Sequence, residues 1–202
     1  YLKSIGAIKK PIYIVPNHLT EQWAKEFYRF FPQANILVTT KKDFDKANRN
    51  KFVSRIAMGD YDAIIIGHSQ FERIPISKER QEKQLNEEIN QLSYIIKKMR
   101  DEKGDNWSIK QMVIFQNNLK NRLTKLAAEE KKDDLLTFEQ LGVDYMFVDE
   151  AHVYKNCFSY TKMRNVAGIG KSASQRATDM LLKCQYLQEI NNGKGVVFAT
   201  GT

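Results

Sequence analysis

Short apolar runs recur along the chain at residues 12–15, 35–39, 61–66, 144–148 and 195–199. They are rich in β-branched and aromatic side chains and show little polar alternation. Such runs read as strands buried on both faces, which is the habit of a parallel sheet. Helical periodicity fills the intervals. Thr20 is the candidate N-cap of a helix of about ten residues, with Trp23, Phe27, Phe30 and Phe31 on its inner face and Pro32 closing it. Residues 41–55 form a basic amphipathic segment with Phe44, Phe52, Val53 and Ile56 on its apolar side. Ser174 or Thr178 starts a helix carrying Met180, Leu181, Cys184, Leu187 and Ile190. Leu2, Ile5 and Ile8 make a short stripe that reads as the tail of a helix, so the chain is expected to be a piece of a longer protein.

The pattern changes at Ser77. From 77 to 134 the chain is charged and nearly free of Gly and Pro. Leu85, Ile89, Leu92, Ile96 and Met99 form one helical stripe. Ile109, Met112, Leu119, Leu123 and Leu126 form another, with a break at Gly104-Asp105-Asn106. An antiparallel helical hairpin is thus predicted as an insertion, projecting as an arm or serving as a partner surface. The expected organisation is an α/β lobe in two parts, 1–76 and 135–202, around the hairpin 77–134.

Composition adjusts this picture modestly. The 202 residues are 42% hydrophobic and carry a net charge of +8. The excess is uneven, with 12 basic against 7 acidic side chains in 1–76, 13 against 11 in 77–134 and 7 against 6 in 135–202. A basic first third suits a polyanionic partner, and equally suits ordinary surface lysine. No apolar run reaches the roughly 18 residues of a membrane span, and no signal peptide is visible. Two cysteines, Cys157 and Cys184, form no disulfide framework or metal motif, so a reducing cytoplasmic setting is expected.

The candidate chemistry lies where the 144–148 run ends. Asp149, Glu150, Ala151 and His152 follow it directly. Open α/β sheets bind ligands at the C-terminal edge of their strands. Two acids there call for a cation, and a Mg²⁺-nucleotide supplies one. Other predicted strands also end in polar residues: Pro16-Asn17, His68-Ser69 and Thr200-Gly201-Thr202.

The order and spacing of these strand ends resemble the first motor lobe of superfamily 2 helicases and translocases. Residues 12–27 look like motif Ia, 64–71 like motif Ib, 148–152 match motif II in full, and 198–202 look like motif III. Lys155-Asn156 after the acidic motif is similar to the Snf-type branch of double-stranded DNA translocases. The whole also resembles the helicase region of large phage and mobile-element proteins, sometimes joined to a DNA methylase. The resemblance covers most of the chain outside 77–134. It implies a RecA-like parallel sheet flanked by helices, with ATP and Mg²⁺ as cofactors. Asp149 would hold the Mg²⁺ through water, and Glu150 would orient and deprotonate the attacking water. His152 would link that site to Thr200 and Thr202. Pro16, Asn17, His68, Ser69, Lys155, Asn156 and Lys171 would lie towards nucleic acid, with duplex DNA favoured over single strands or RNA. A monomer is expected.

The sequence departs from that pattern in one respect. No phosphate-binding loop precedes residue 12. The near match at 165–172 has Asn165 where Gly is required, follows no strand and comes after the acidic motif. It is expected instead to be a Gly-rich loop presenting Lys162, Arg164, Lys171 and Arg176. The missing loop and a second motor lobe are expected to be supplied by the same polypeptide, and the 202-residue chain by itself is expected to be inactive. A non-catalytic nucleic-acid or protein-binding module on the same fold is the alternative. A metal-dependent nuclease is disfavoured, because Asp144 lies at the wrong end of its strand.

Overall fold

A computed structural model of the protein describes residues 2–45, 48–102, 106–128, 136–155 and 174–201. The chain divides into two compact units, residues 1–76 with 135–202 and residues 77–134.

The first unit is an α/β fold around five strands: β1 (Pro11–Val15), β2 (Ile36–Val38), β3 (Ala63–Gly67), β4 (Tyr145–Val148) and β5 (Val196–Phe198). They are ordered β2-β3-β1-β4-β5, and every pair is parallel. The helices, in chain order, are α1 (Thr20–Phe30), α2 (Arg49–Met58), α3 (His68–Phe71), α4 (Lys78–Asp101), α5 (Asn106–Ala128) and α6 (Gln175–Ile190). Successive strand residues face opposite sides of the sheet. Ile12, Ile14, Ile64, Ile66, Met146 and Val148 share one face and join a core with Phe52, Val53 and Ile56 of α2 and Met180, Cys184 and Leu187 of α6. On the other face Tyr13 stacks on Phe147, with ring centroids 4.8 Å apart and planes 8° off parallel. Trp23 and Phe27 of α1 lie within 6.2 and 6.0 Å of the same Tyr13 ring.

The N-terminal edge of the sheet is tied by polar contacts. Asp144 accepts the backbone N–H groups of Lys9 and Lys10 at 2.6 and 2.8 Å, joining the starts of β1 and β4. Lys10 Nζ then donates to the carbonyls of Ile56 and Ala57, both at 2.9 Å. A cation at the end of a helix meets its orphan carbonyls and its negative dipole end.

Several local expectations are corrected. Residues 2–8 form turns rather than a helix. Gly6 sits at φ +73°, and Leu2 and Ile5 are exposed, so the stripe has no continuous surface to bury. Leu19 rather than Thr20 precedes α1, and the Thr20 hydroxyl donates back to Asn17 O. Phe30 and Phe31 are 72% and 53% exposed, so they are not part of the inner face. The basic segment is two elements: a 3-10 turn (Lys41–Phe44), closed by Asp43 on the Thr40 N–H, and then α2. Ser174 caps α6 by accepting the Ala177 N–H.

The second unit is a helical hairpin of α4 and α5. Leu85, Ile89, Leu92 and Ile96 are buried on α4, as are Ile109, Met112 and Leu119 on α5. Lys78 Nζ reaches Ala127 O, and Gln116 Nε2 donates to Ser93 Oγ at 2.6 Å. Those pairings make the helices antiparallel. Among the described residues no helix is long and apolar enough to cross a membrane.

One charge lies deep inside the first unit. Lys183 of α6 has no solvent exposure, donates to Asp179 at 2.6 Å and to Phe71 O at 3.1 Å, and sits 4.3 Å from the Phe71 ring centre. Burial pushes its ammonium below the usual lysine range, against the pull of Asp179. Asp179→Ala should destabilise the unit by about 3 kcal/mol, because it strands that cation. Lys183→Met, which keeps the stem over Phe71, should cost less. Urea unfolding of the two variants measures the difference.

Candidate functional site

Parallel strands deliver their C-terminal ends to one edge. The register sets Val15 opposite Gly67, Ile14 opposite Val148 and Val148 opposite Phe198. The next residues along that edge are Pro16, His68, Asp149 and Ala199. Asp149 extends the ladder by donating its N–H to Ile14 O at 2.8 Å. Ala199 donates to Val148 O at 2.8 Å, and Ala151 to Ala199 O at 3.0 Å. The acidic turn is therefore held by backbone bonds from both sides.

Glu150 breaks the ladder. It lies at φ 52°, ψ 45°, a left-handed conformation uncommon for a residue with a side chain. Its N–H is taken by Asp149 Oδ1 at 3.0 Å. The reversal feeds a 3-10 turn (Ala151–Tyr154) and brings His152 Nδ1 to 3.0 Å from Glu150 Oε2. Thr200 Oγ1, at the end of β5, is 3.4 Å from the same nitrogen. Asp149, Glu150, His152 and Thr200 thus form one solvent-accessible group across the ends of β4 and β5. Left-handed non-glycine residues cost about 1–3 kcal/mol and collect at functional sites.

The ends of β1 and β3 are fastened together separately. Asn17 Oδ1 accepts the Ser69 N–H at 3.1 Å. Gly67 permits that approach, since a Cβ there would lie 2.4 Å from Asn17 Oδ1 and 2.2 Å from Gln70 Oε1. Asn17 is exposed, while Pro16 and Ser69 are partly open. His68 behaves differently from its neighbours. It is only 6% exposed, and its Nδ1 hydrogen-bonds to Tyr154 Oη at 2.8 Å. Its side chain is turned away from any surface that a phosphate backbone could reach, because the imidazole completes the packing beneath the edge. Lys155 is exposed just past the 3-10 turn, and so is His18. Asn156, Lys171 and Thr202 lie outside the described residues, as does the 165–172 segment.

Sequence reasoning missed the part-buried polar cluster below the acidic turn. Arg176 forms an ion pair with Glu72 and holds its guanidinium carbon 5.7 Å from the Tyr154 ring centre. Rather than sitting in a loop presented to phosphates, Arg176 belongs to α6 and is engaged with protein. Tyr154, two residues past His152, carried no motif that would single it out. Asp144 lies at the opposite edge on the Lys9 and Lys10 amides, so it adds nothing to the acidic pair. Among the described residues no three His, Cys, Asp or Glu side chains form a cluster fit to hold a metal ion.

The five-stranded parallel sheet, with an acidic pair at its polar edge, defines a RecA-like α/β lobe. Over residues 1–202 the chain matches the family described as a probable helicase domain, and it belongs to that family. It is also 35% identical over 77 residues to the Defense against restriction protein B of Escherichia phage P1. That match covers 36% of this chain and only 3% of the phage protein.

Two outcomes are expected from this geometry. Gly67→Ala should displace Asn17 from the Ser69 N–H and cost about 1 kcal/mol, seen as a lower melting temperature with faster hydrogen exchange at the Ser69 amide. Burial holds the His68 imidazole below its ordinary 6.5, partly opposed by the Asp149 main chain. The unfolded chain therefore binds the proton first, so this contribution is complete above pH 6.5 and is lost as pH falls through the window beneath it. His68→Asn should flatten that part of the stability curve.

Proposed function

We propose that the chain is the first motor lobe of an ATP-dependent DNA helicase or translocase of the DEAH-box, Snf-like kind. The observation that carries this reading is the turn at Glu150. Its left-handed backbone follows Asp149 at the polar edge, with Asp149 Oδ1 on the Glu150 N–H and the Glu150 carboxylate paired with His152 and, through it, with Thr200. Oxygen donors of this number suit a hard cation that keeps water and phosphate oxygens among its ligands. Asp149 would hold Mg²⁺ through water, and the ion would neutralise charge on the transferring phosphoryl group. Glu150 would orient the attacking water and take its proton. His152 and Thr200 would relay the state of that site to the neighbouring strand end.

On this reading Pro16, Asn17, Ser69, Lys155, Asn156 and Lys171 lie towards the nucleic-acid backbone, where contacts give affinity without reading sequence. The Lys155-Asn156 offset favours duplex DNA. Closure of a second lobe of the same polypeptide on this one would convert ATP binding into movement. The 202-residue chain alone is not expected to hydrolyse ATP.

The test uses the full natural polypeptide that carries this lobe. ATP turnover is measured with duplex DNA, single-stranded DNA and RNA. Duplex should stimulate most, and Glu150→Gln should lower turnover by about a hundredfold or more. Unchanged turnover in Glu150→Gln removes the catalytic role. Stimulation by RNA alone overturns the choice of DNA.

A further inference from the structure

The part-buried cluster beneath the acidic turn is centred on Tyr154. His68 follows β3 directly, in the turn that Asn17 fastens through the Ser69 N–H. Its Nδ1 meets Tyr154 Oη, and Tyr154 ends the 3-10 turn that Glu150 begins. Arg176 lies over the Tyr154 ring and pairs with Glu72, which follows α3. The end of β3 and the acidic turn are therefore joined by two side-chain contacts that converge on Tyr154.

One atom in this cluster is out of keeping with a purely structural role. His68 Nε2 is buried and makes no hydrogen bond. Buried polar atoms are nearly always satisfied, and each exception calls for an explanation. Imidazole has two neutral tautomers. With the proton on Nδ1, the Tyr154 oxygen accepts it and Nε2 is bare. With the proton on Nε2, Nδ1 accepts from the Tyr154 hydroxyl and Nε2 requires an acceptor. An element that has two such arrangements, and that touches both strand ends, is what coupling between them physically requires.

We propose that His68 and Tyr154 are positioning residues that couple the β1–β3 edge to the acidic turn, so that a nucleic-acid backbone bound at Asn17 and Ser69 sets the orientation of Asp149 and Glu150. This inference rests on the reading of Asp149 and Glu150 as part of an ATP site. It assigns His68 to transmission rather than to contact with DNA.

The test again uses the full natural polypeptide. ATP turnover is measured without DNA and at saturating duplex DNA, so that a change in DNA affinity does not enter. Tyr154→Phe keeps the ring under Arg176 and removes only the hydroxyl. It should leave DNA-free turnover within about threefold while lowering the stimulation by about tenfold. His68→Phe should do the same. His68→Asn, whose amide occupies the position of Nδ1, should retain most of the stimulation, and the contrast between the two His68 variants stands even if Tyr154→Phe does not fold. Full stimulation in Tyr154→Phe and His68→Phe overturns the proposal. So does an equal proportional loss of basal and stimulated turnover, or equal loss in His68→Asn and His68→Phe. Glu150→Gln runs in parallel. If it turns over ATP normally, the ATP-site reading fails. If it is inactive while Tyr154→Phe is stimulated like the parent, only the coupling fails.

Discussion

The parallel pairing of β1 with β4 is the contact on which the rest of the first unit depends. β1 is the central strand, flanked by β3 and β4. Its Ile14 carbonyl accepts the Asp149 N–H, so the acidic turn begins as a continuation of the ladder. Were β4 to slip by one residue against β1, Met146 and Val148 would exchange faces with Phe147. The aliphatic core against α2 and α6 and the aromatic stack against α1 would both be lost. Asp144 guards against that slip at the far end by holding the Lys9 and Lys10 amides.

The two edges of the sheet use polar groups in different ways. At the N-terminal edge, Asp144 and Lys10 satisfy backbone donors and acceptors, and their role ends there. At the C-terminal edge the backbone is already satisfied by its neighbours on β1 and β5, which leaves side chains available. Glu150 is held in a left-handed conformation because ladder bonds on either side, from Asp149 to Ile14 and from Ala151 to Ala199, over-determine it. The strain is local, and rigid strands on both sides sustain it.

Beneath this edge lies a layer that is neither apolar core nor surface. Arg176 on Glu72 and Lys183 on Phe71 O tie α6 to the turn after β3, and the His68–Tyr154 pair ties that turn to the one after β4. Ion pairs, exposed or buried, contribute little net stability compared with apolar packing, but they constrain which side chains meet. In this chain they align α6 with the two strand ends that carry the candidate chemistry. Among the described residues of that layer, the buried atom left without a hydrogen bond is His68 Nε2.

The sequence by itself determined the strands, their parallel arrangement and the α/β class, because unbroken apolar runs such as 61–66 can be buried only inside a sheet covered on both faces. It also marked the Asp149-Glu150 pair, since charge directly after an apolar run must emerge at a strand end. Helix limits were less legible. Phe30, Phe31, Leu2 and Ile5 are apolar yet exposed, and local pattern cannot say where a neighbouring surface stops. The partners of His68, Tyr154, Arg176 and Lys183 were decided only by the tertiary structure. Those pairings span up to 112 residues of sequence, as between Lys183 and Phe71. No periodicity or motif encodes a contact at that distance; the strand order and the packing of α6 create it.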